Sequence, residues 1–456
     1  MDREEERLRG VRCAAELAAR DIRAVALTWV DNAGVTRVKG VPTARLAHAA
    51  AWGVGASPVF DVFLVDDATT TSAHIGGPVG DLRLHPDLDQ LTPLGAQPGW
   101  AWAPADKWTQ EGTPAASCQR GFARRMVARA AERGLTFSMA FEVEWFVGAP
   151  DGTPACAGSA YGMNRLIAVS DYLADLLATL DLQGVPVEQL HPEYSPGQFE
   201  LSVGATDPVA AADLTVLVRQ TVRAVSARHG FGASFAPVVV PDQVGNGAHL
   251  HFSAHADGRN LFAGGPGPHG TTARGEGLLA SVLARVPALV AIGAPGVASQ
   301  LRLVPQRWAG AYQCWGRENR EAVLRFVTGP VGAREAAANA ELKCVDGAAN
   351  PYLVVGAVIA AALGGEAGAG AAAAGDAGWG TLPPEVTVDP ATLATPPPRL
   401  PDSVAAALDA LAADDVLPAA LGPELYAAFV AVHRAEAALF DGRTRAEITE
   451  AVRWTY

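Results

Sequence analysis

The stretch Phe137-Ser-Met-Ala-Phe-Glu-Val-Glu-Trp-Phe-Val147 combines β-favouring residues with two glutamates that are two positions apart. Side chains alternate between the two faces of a strand, so Glu142 and Glu144 are predicted to share one face. Val143 and Trp145 then point to the opposite face, into a core. The segment therefore predicts a strand that is buried on one side and carries paired carboxylates on the other.

Three further segments place acidic residues or histidines two positions apart. They are His191-Pro-Glu-Tyr-Ser-Pro-Gly-Gln-Phe-Glu200, Gly247-Ala-His-Leu-His-Phe-Ser253 and Ala340-Glu-Leu-Lys-Cys-Val345. Any one of these pairs alone is explained more simply by exposed strand positions, or by an edge strand that is charged against aggregation. Four such strands together predict the wall of a polar cavity that binds metal and phosphate.

The candidate metal ligands are rich in oxygen and include one imidazole. They are Glu142, Glu144, Glu193, Glu200, His249 and Glu341. Converging carboxylates repel one another unless some are protonated or cations lie between them, and more than one bound metal resolves that repulsion. Hard divalent ions such as Mg²⁺ or Mn²⁺ prefer this set, whereas structural zinc sites use thiolates and several imidazoles.

A second group of candidate residues is cationic. It consists of Arg302, Arg320, Arg325 and Lys343. Each of them alone would be explained by a surface ion pair, but arginine also binds carboxylate or phosphate in a bidentate manner. Beside a metal–carboxylate cavity these residues favour phosphoryl transfer from a nucleotide. The sequence has no P-loop and no Gly-x-Gly-x-x-Gly in a βαβ setting, so another architecture is expected to hold the nucleotide.

Composition narrows the class of protein. The 456 residues suggest two domains, or one with an elaboration, and 49% apolar residues suffice for a large core. A net charge of -13 argues against nucleic acid or an anionic membrane as the main partner. Five scattered cysteines, a charged N-terminus and the lack of a long, uncharged apolar stretch predict a cytoplasmic protein without a membrane span.

Periodicity and turn residues predict three parts: an N-terminal helix over 1–20, a small domain over 21–110 and a larger domain over 115–456. In the small domain we expect a hairpin at 24–39, a helix at 43–51 and strands near 59–65, 81–84 and 100–102, with a boundary of turns at 104–114. In the larger domain we expect helices at 117–133, 161–182, 208–228, 276–290, 351–363 and 403–411. The Gly/Ala-rich and then Pro-rich segment 364–401 predicts a mobile loop.

In this order and spacing, the segments resemble the glutamine synthetase superfamily over roughly residues 20–456. The matching motifs are Glu142-Val-Glu144, Glu193-x-x-Pro-Gly-Gln-x-Glu200, Gly245-Asn-Gly-Ala-His-Leu-His-Phe-Ser253, Arg302-Leu-Val-Pro305, Asn319-Arg…Arg325 and Glu341…Asn350-Pro-Tyr-Leu353. The resemblance implies an α+β fold, with a β-grasp-like N-terminal domain and a catalytic domain whose curved antiparallel sheet is flanked by helices. It also implies a dodecamer of two hexameric rings, with active sites between neighbouring subunits.

The resemblance also assigns roles to the motif residues. One Mg²⁺ or Mn²⁺ is expected on Glu144, Glu193 and Glu200, and a second on Glu142, His249 and Glu341. The ATP phosphates are expected beside His251, Ser253, Arg320 and Arg325, with Arg320 acting in catalysis. Glutamate is expected beside Gly245, Arg302 and Lys343. Lys343 replaces the family's usual arginine and so loses the planar fork of that side chain.

The chain departs from the family's ammonium-binding pattern at two positions. Trp308 stands where true glutamine synthetases carry a flap glutamate, and Ser57 aligns with the aspartate that a neighbouring subunit contributes. An aromatic wall accepts a methylene chain, or a cation through its π-face. Within the superfamily, this pattern resembles the γ-glutamylpolyamine synthetases, although a tryptophan packed only for stability is the alternative interpretation.

The activity implied is an ATP-dependent ligation of glutamate to putrescine, cadaverine, spermidine or spermine through γ-glutamyl phosphate. Glu193 is the candidate base that deprotonates the attacking amine. Several alternatives stay open at this point. They are a glutamine synthetase that uses ammonium with Glu318 or Glu321 as its acid, a ligase for another small amine, a non-catalytic member of the superfamily, and a guanidino kinase, which shares the catalytic fold.

Overall fold

A computed structural model describes residues 2–367 and 379–456. The first helix, α1 (Arg3–Ala18), begins after Asp2, whose carboxylate accepts hydrogen bonds from the backbone N–H groups of Glu4 and Glu5 at 2.9 and 3.2 Å. Such a cap satisfies N–H groups that have no partner within the helix. The helix packs against α2 (Leu46–Trp52), which confirms the helices predicted in both places.

The N-terminal sheet consists of β1 (Ala24–Val30), β2 (Thr36–Pro42), β3 (Val54–Ala56), β4 (Leu82–Pro86), β5 (Thr92–Pro93) and β6 (Trp100–Thr109). Its order in the described residues is β2-β1-β6-β4-β3, with β5 also paired to β6. The predicted hairpin is the antiparallel pair β1–β2, while β1 and β6 run parallel. The parallel pairing ends at Pro104, which has no N–H to donate, although β6 itself continues to Thr109. Half of the segment predicted as a boundary of turns is therefore strand.

The strand predicted near 59–65 was wrong. Residues Pro58–Val62 form a 3₁₀ helix instead, and the hydroxyl of Ser57 caps it by accepting the N–H of Val59 at 3.2 Å. Proline favours the first turn of a helix because its φ is already helical and its missing N–H has no partner there in any case. The proline and the capping hydroxyl therefore determined a helical turn here, although the apolar pattern predicted a strand.

The larger sheet is the scaffold of the second part of the chain. Its strands are β7 (Thr136–Gly148), β8 (Val187–Pro192), β9 (Gln198–Val203), β10 (Gly232–Ser234), β11 (Leu250–Ala256), β12 (Arg259–Asn260), β13 (Tyr312–Arg317), β14 (Ala322–Val327) and β15 (Asn339–Leu342). The main order is β13-β14-β15-β11-β7-β9-β8, with β10 on β7 and β12 on β11. Among the described strands of this larger sheet, only β13 and β14 pair in parallel; its other pairs are antiparallel, as predicted.

Helices cover this sheet and supply most of the large core. They are α3 (Gln119–Ala131), α4 (Met163–Ala168), α5 (Ser170–Leu182), α6 (Pro208–Arg228), α7 (Ala273–Gly293), α8 (Val297–Arg302), α9 (Arg334–Ala337), α10 (Pro351–Ala367), α11 (Val404–Ala413), α12 (Leu417–Leu421), α13 (Pro423–Leu439) and α14 (Arg445–Val452). The single helix predicted over 161–182 is two, separated at Val169. By length and composition alone α7 would cross a membrane, but most of it is buried within this protein.

The segment predicted as a loop over 364–401 has three parts. Its first residues, to Ala367, are the end of α10, and 368–378 lie outside the described residues. Residues 379–401 form a strap along β13: Trp315 Nε1 donates to the carbonyl of Pro383 at 2.7 Å, and the carbonyl of Trp315 accepts the N–H of Val386 at 3.0 Å. This strap adjoins the loop that carries Trp308, through the hydrogen bond from Gln306 to Asp389.

Arg120 joins the two sheets through a buried network of charges. From α3 its guanidinium contacts Asp213 on α6 at 2.7 Å. On the N-terminal side it contacts Asp87 at 2.7 Å and Asp106 at 3.1 Å. Only 3% of the Arg120 side chain is exposed, so these carboxylates are its partners in place of water. The network ties the N-terminal sheet to the helices behind the larger sheet.

Candidate active site

The strand register aligns the predicted ligands on one face of the larger sheet. Glu144 on β7 lies opposite Glu200 on β9, and Glu200 lies opposite His191 on β8. Residues directly opposite in an antiparallel pair project from the same face, so these three side chains form one row. A second row runs from His251 on β11 to Glu341 on β15 and on to Arg325 on β14. The sheet thus brings together residues that lie far apart in sequence.

The first cluster of ligand atoms comes from Glu142, His249 and Glu341, the trio predicted for one metal. One ligand atom from each lies within 4.8 Å of the others. The Nδ1 atom of His249 is 3.4 Å from Glu142 Oε2 and 3.3 Å from Glu341 Oε1. His249 and Glu341 are buried, so their ligand atoms face one another and the cavity rather than bulk water.

The second cluster differs from the predicted trio by one residue. His191, Glu193 and Glu200 place ligand atoms within 4.8 Å of one another, and Glu144 is not among them. Glu144 reaches the first cluster, with Oε1 at 3.9 Å from His249 Nδ1, while its Oε2 accepts a hydrogen bond from Gln198 at 2.9 Å. The sequence analysis did not include His191 among the candidate ligands, although its spacing of two residues from Glu193 was the signal that identified the other strands.

Both clusters fit hard divalent cations. Each offers two carboxylates and one imidazole, and Glu144 lies between them. Burial, together with the neighbouring carboxylates, raises the pKa of Glu200 to about 8. The hydrogen bond to Glu200 in turn raises the pKa of His191 to about 9. A carboxyl group that holds its proton near neutral pH in this way signals a surplus of negative charge, which a bound cation relieves.

Gly247 leaves room for the ligands. A Cβ atom at this position would lie 2.5 Å from Nε2 of His249 and 2.8 Å from Oε1 of Glu144, closer than nonbonded atoms approach. Gly245 is constrained in a different way, since its Cβ would lie 2.0 Å from the carbonyl oxygen of Pro237. Close packing thus explains both glycines: against the candidate ligands at Gly247 and against the backbone at Gly245.

A cavity of about 540 Å³ opens in front of the clusters. It is lined by twelve of the fifteen residues that the sequence singled out: Glu142, Glu144, Glu193, Glu200, Gly245, His249, Arg302, Trp308, Arg320, Arg325, Glu341 and Lys343. His191, Tyr161 and Arg307 also line it. Carboxylates and cations thus meet in one concave site, as the sequence predicted.

The cations fall into two kinds. Lys343 Nζ and Arg325 Nη1 bind the two oxygens of Glu341 at 2.8 and 3.0 Å, and Arg302 donates to the carbonyls of Lys343 and Val345 at 2.9 and 2.7 Å. Burial alone would raise the pKa of Glu341, but the positive charges around it outweigh burial and hold this pKa well below its ordinary value. Arg320 is exposed and lines the cavity, which leaves its guanidinium available to an anion.

The predicted ATP-binding residues divide between two cavities. His251 and Ser253 line a neighbouring cavity of about 580 Å³, with Asn339. Arg320 and Arg325 line the first cavity instead. Glu142 lines both, so it lies between the two spaces, and its carboxylate is 3.2 Å from His251 Nε2. A ligand that reached from His251 to Arg320 would pass the first metal cluster.

Trp308 stands at the mouth of the first cavity, 41% exposed, and its ring lies 5.0 Å from that of Tyr194. The two carboxylates considered as replacements for a flap acid are engaged elsewhere. Glu318 binds Arg325 and the N–H of Thr328, and Glu321 accepts backbone N–H groups of the Trp308 loop. Ser57 lines neither cavity of its own chain, so the structure does not bring it together with Trp308.

Two tyrosines near Glu193 escaped the sequence analysis. The hydroxyl of Tyr161 donates to Glu193 Oε2 at 2.8 Å, and the N–H of Tyr194 donates to the same oxygen at 3.0 Å. Tyr161 was predicted as the first residue of a helix, but it lies in the loop between β7 and α4. Both hydrogen bonds orient the carboxylate of the candidate base.

Known proteins share this sequence pattern over most of the chain. A family model described as the catalytic domain of glutamine synthetase matches residues 116–451. The chain is 53% identical over 460 residues to the Gamma-glutamylpolyamine synthetase GlnA3 of Streptomyces coelicolor, covering 98% of this chain and 97% of that protein. It is 30% identical over 441 residues to a glutamine synthetase of Rhizobium leguminosarum bv. phaseoli, covering 93% of this chain and 94% of that protein.

Two solved structures are similar over nearly the whole chain. A crystal structure described as a novel glutamine synthase homolog has a TM-score of 0.84 and 31% identity, covering 95% of this chain and 99% of its own. The GmaS/ADP complex has a TM-score of 0.81 and 27% identity, with coverages of 94% and 96%. These likenesses confirm the predicted fold class.

Proposed function

The chain belongs to the glutamine synthetase family, and from this premise we propose that it joins the γ-carboxylate of glutamate to a primary amine of a polyamine. Membership of the family supports an ATP-dependent ligase that uses a divalent metal. The observation that carries the choice of amine is the near full-length match to a γ-glutamylpolyamine synthetase, together with an aromatic side chain at the mouth of the cavity. Putrescine, cadaverine, spermidine and spermine are the proposed substrates.

The first step is the attack of a γ-carboxylate oxygen of glutamate on the γ-phosphorus of ATP, with ADP leaving. We assign glutamate to the part of the cavity lined by Gly245, Arg302 and Lys343, and the transferred phosphoryl group to Arg320 and Arg325. His251 and Ser253 in the neighbouring cavity would hold the rest of the phosphate chain. The cluster of Glu142 and the cluster of Glu193 would each hold one Mg²⁺ or Mn²⁺ ion. These two ions would neutralise negative charge on the phosphate oxygens.

The second step is the attack of the amine nitrogen on the carbonyl carbon of γ-glutamyl phosphate, with phosphate leaving. The amine must lose a proton, and Glu193 is the proposed acceptor. Its Oε2 is held by Tyr161 and Tyr194, which leaves Oε1 free to face the cavity beside His191. Trp308 would cover the methylene chain of the amine.

We also propose a dodecamer of two hexameric rings in the cytoplasm. Ser57 lies away from both cavities of its own chain, which is consistent with a role at a neighbour's site. All five cysteines are free thiols, as a reducing compartment favours. Light scattering after gel filtration tests the assembly, and a mass below twelve times the 47.1 kDa of one chain would contradict it.

The function is tested with a panel of amines. The purified protein is mixed with ATP, Mg²⁺ and glutamate, and phosphate release is followed with each amine or with ammonium. We expect turnover with polyamines and little with ammonium at the same concentration. Turnover with ammonium, and none with any polyamine, would show instead that the protein is a glutamine synthetase.

A further inference from the structure

Glu321 holds the loop that carries Trp308. We propose that Glu321 is a positioning residue for amine specificity: its carboxylate fixes loop 305–310, so that Trp308, braced by Tyr194, forms a rigid aromatic wall for the methylene chain of the amine. This inference rests on the proposed function and deepens it. It concerns how the wall is held, which the family match does not address.

The main evidence is a double hydrogen bond. Glu321 Oε1 accepts the N–H of Trp308 at 2.8 Å, and Oε2 accepts the N–H of Gln306 at 3.2 Å. Gln306 and Trp308 both have left-handed backbone angles, with φ of 58° and 55°. Residues other than glycine adopt this conformation at a cost in free energy and need surrounding structure to hold it. The carboxylate of Glu321 stabilises the left-handed backbone at both Gln306 and Trp308.

Glu321 is itself fixed by its neighbours. Its N–H donates to Asn319 Oδ1 at 3.1 Å, and Asn319 Nδ2 donates to the carbonyls of Val386 and Val388 at 2.8 and 3.0 Å. The same strap holds the loop from its other side, where Gln306 Nε2 donates to Asp389 at 3.1 Å. The clamp is therefore anchored to the start of β14 and to the strap, outside the metal clusters.

Tyr194 connects the wall to the candidate base. Its ring lies 5.0 Å from that of Trp308 at an interplanar angle of 50°, and its N–H binds Glu193 Oε2. Both residues are more than two-fifths exposed, and Trp308 lines the cavity, so apolar surface of this pair is still available to a ligand. An aliphatic amine that passes between Trp308 and Glu193 would bury this surface along its methylene groups.

A fixed wall discriminates between amines through the chain that they carry. A long diamine or polyamine gains contact with Trp308, whereas ammonium has no methylene groups to place there. If Glu321 no longer holds the loop, ordering it becomes part of the cost of binding the amine, and the advantage of the long amine falls. Glutamate and ATP are assigned above to other residues of the site, so their binding should be unaffected.

The test compares Glu321→Gln with a control variant, Glu132→Gln, which makes the same change at an exposed position at the end of the helix behind the sheet. The amide introduced by Glu321→Gln has one acceptor oxygen in place of two, so one of the two N–H groups would lose its acceptor. Hydrogen–deuterium exchange of a peptide spanning 303–311 reports the hold on the loop, and steady-state kinetics report KM for each substrate.

We expect faster exchange confined to this loop and a rise of about tenfold in KM for the preferred polyamine in Glu321→Gln, with KM for ATP and glutamate within about twofold. Tyr194→Ala should raise the same KM, whereas Tyr194→Phe, which keeps the ring, should match the unmodified protein. If Glu321→Gln fails to fold, the two Tyr194 variants still test whether the aromatic wall contributes to binding of the polyamine.

Two results would overturn the inference: unchanged exchange of the loop in Glu321→Gln, or faster exchange with an unchanged KM and amine preference. If the unmodified protein used ammonium alone, the proposed function would fail separately. Loop exchange in Glu321→Gln would then still decide whether Glu321 holds the loop, and unchanged exchange would reject that role as well.

Discussion

Glu144 and Glu200 lie directly opposite each other on β7 and β9, both buried and both facing the cavity. Like charges at opposed positions destabilise a strand pair, and burial makes the repulsion stronger. Five further candidate metal ligands nevertheless surround this pair: Glu142, His191, Glu193, His249 and Glu341. The arrangement is stable only if protons or cations reduce the negative charge, which makes metal binding and folding stability interdependent.

The first prediction follows from this interdependence. Saturating Mn²⁺ should raise the thermal midpoint by a few degrees over the protein in EDTA, since a ligand at about 100 times its Kd stabilises the native state by about 2.7 kcal/mol. Glu200→Gln should lose most of this shift because it removes one ligand oxygen and part of the repulsion. Differential scanning calorimetry measures both. An equal shift in the variant would remove Glu200 from the metal site.

The second prediction concerns pH. The metal-free pKa is about 8 for Glu200 and about 9 for His191, and both must lose their protons to bind a metal. Affinity for Mn²⁺ should therefore rise between pH 6 and pH 8 by up to about tenfold per unit for each proton displaced, and level off above about pH 9. Titrations followed by electron paramagnetic resonance give the affinity, and calorimetry in two buffers gives the protons released. An affinity independent of pH over this range would contradict the assignment.

The third prediction concerns Trp308. Trp308→Glu places a carboxylate at the mouth of the cavity, where it binds a small cation better than an alkyl chain. We expect kcat/KM for ammonium to rise and kcat/KM for the preferred polyamine to fall by about tenfold or more. Both effects follow because residue 308 is proposed to contact the amine and not glutamate or ATP. Trp308→Phe is the matched control, because it keeps an aromatic wall without a charge. Retained polyamine preference in Trp308→Glu would mean that this side chain does not contact the amine.

The fourth prediction concerns Gly247. In Gly247→Ala the new methyl group meets His249 Nε2 and Glu144 Oε1 and must displace at least one of them. We expect a loss of about 10–100-fold in metal affinity or activity, typical of disturbing the positions of ligands. Gly77→Ala is the control, since a Cβ at Gly77 meets no atom within 4 Å. Similar activities in the two variants would show that the ligands tolerate the displacement.

The fifth prediction concerns stability away from the site. Arg120→Leu leaves the buried carboxylate of Asp213 without its cation, whereas Asp87 and Asp106 keep their contacts with Arg124. Breaking a buried ion pair by removing one partner costs about 3–5 kcal/mol. Urea denaturation should show this loss, whereas Arg129→Leu on the exposed face of the same helix should change the free energy of unfolding little. Equal stabilities would mean that the carboxylates are protonated or hydrated.

Much of the fold and the site could be predicted because the relevant signals are local. The alternation around Glu142 and Glu144, the His-x-His spacing at His249 and the helical periodicity of α6 each depend on neighbours a few residues away. The 3₁₀ helix at Pro58 and the break at Val169 were not predicted, since a cap or a single backbone angle decided them against the apolar pattern.

The sequence by itself determined the family, the strands that carry the candidate ligands and the residue types that suit metal and phosphate. Only the tertiary structure decided which side chains meet. Strand register placed His191 beside Glu193 and Glu200, and the fold of two loops placed Glu321 under Trp308 and Tyr194 against it. The physical reason is that these contacts join residues on different strands and loops, whose spacing along the chain carries no information about their distance in space.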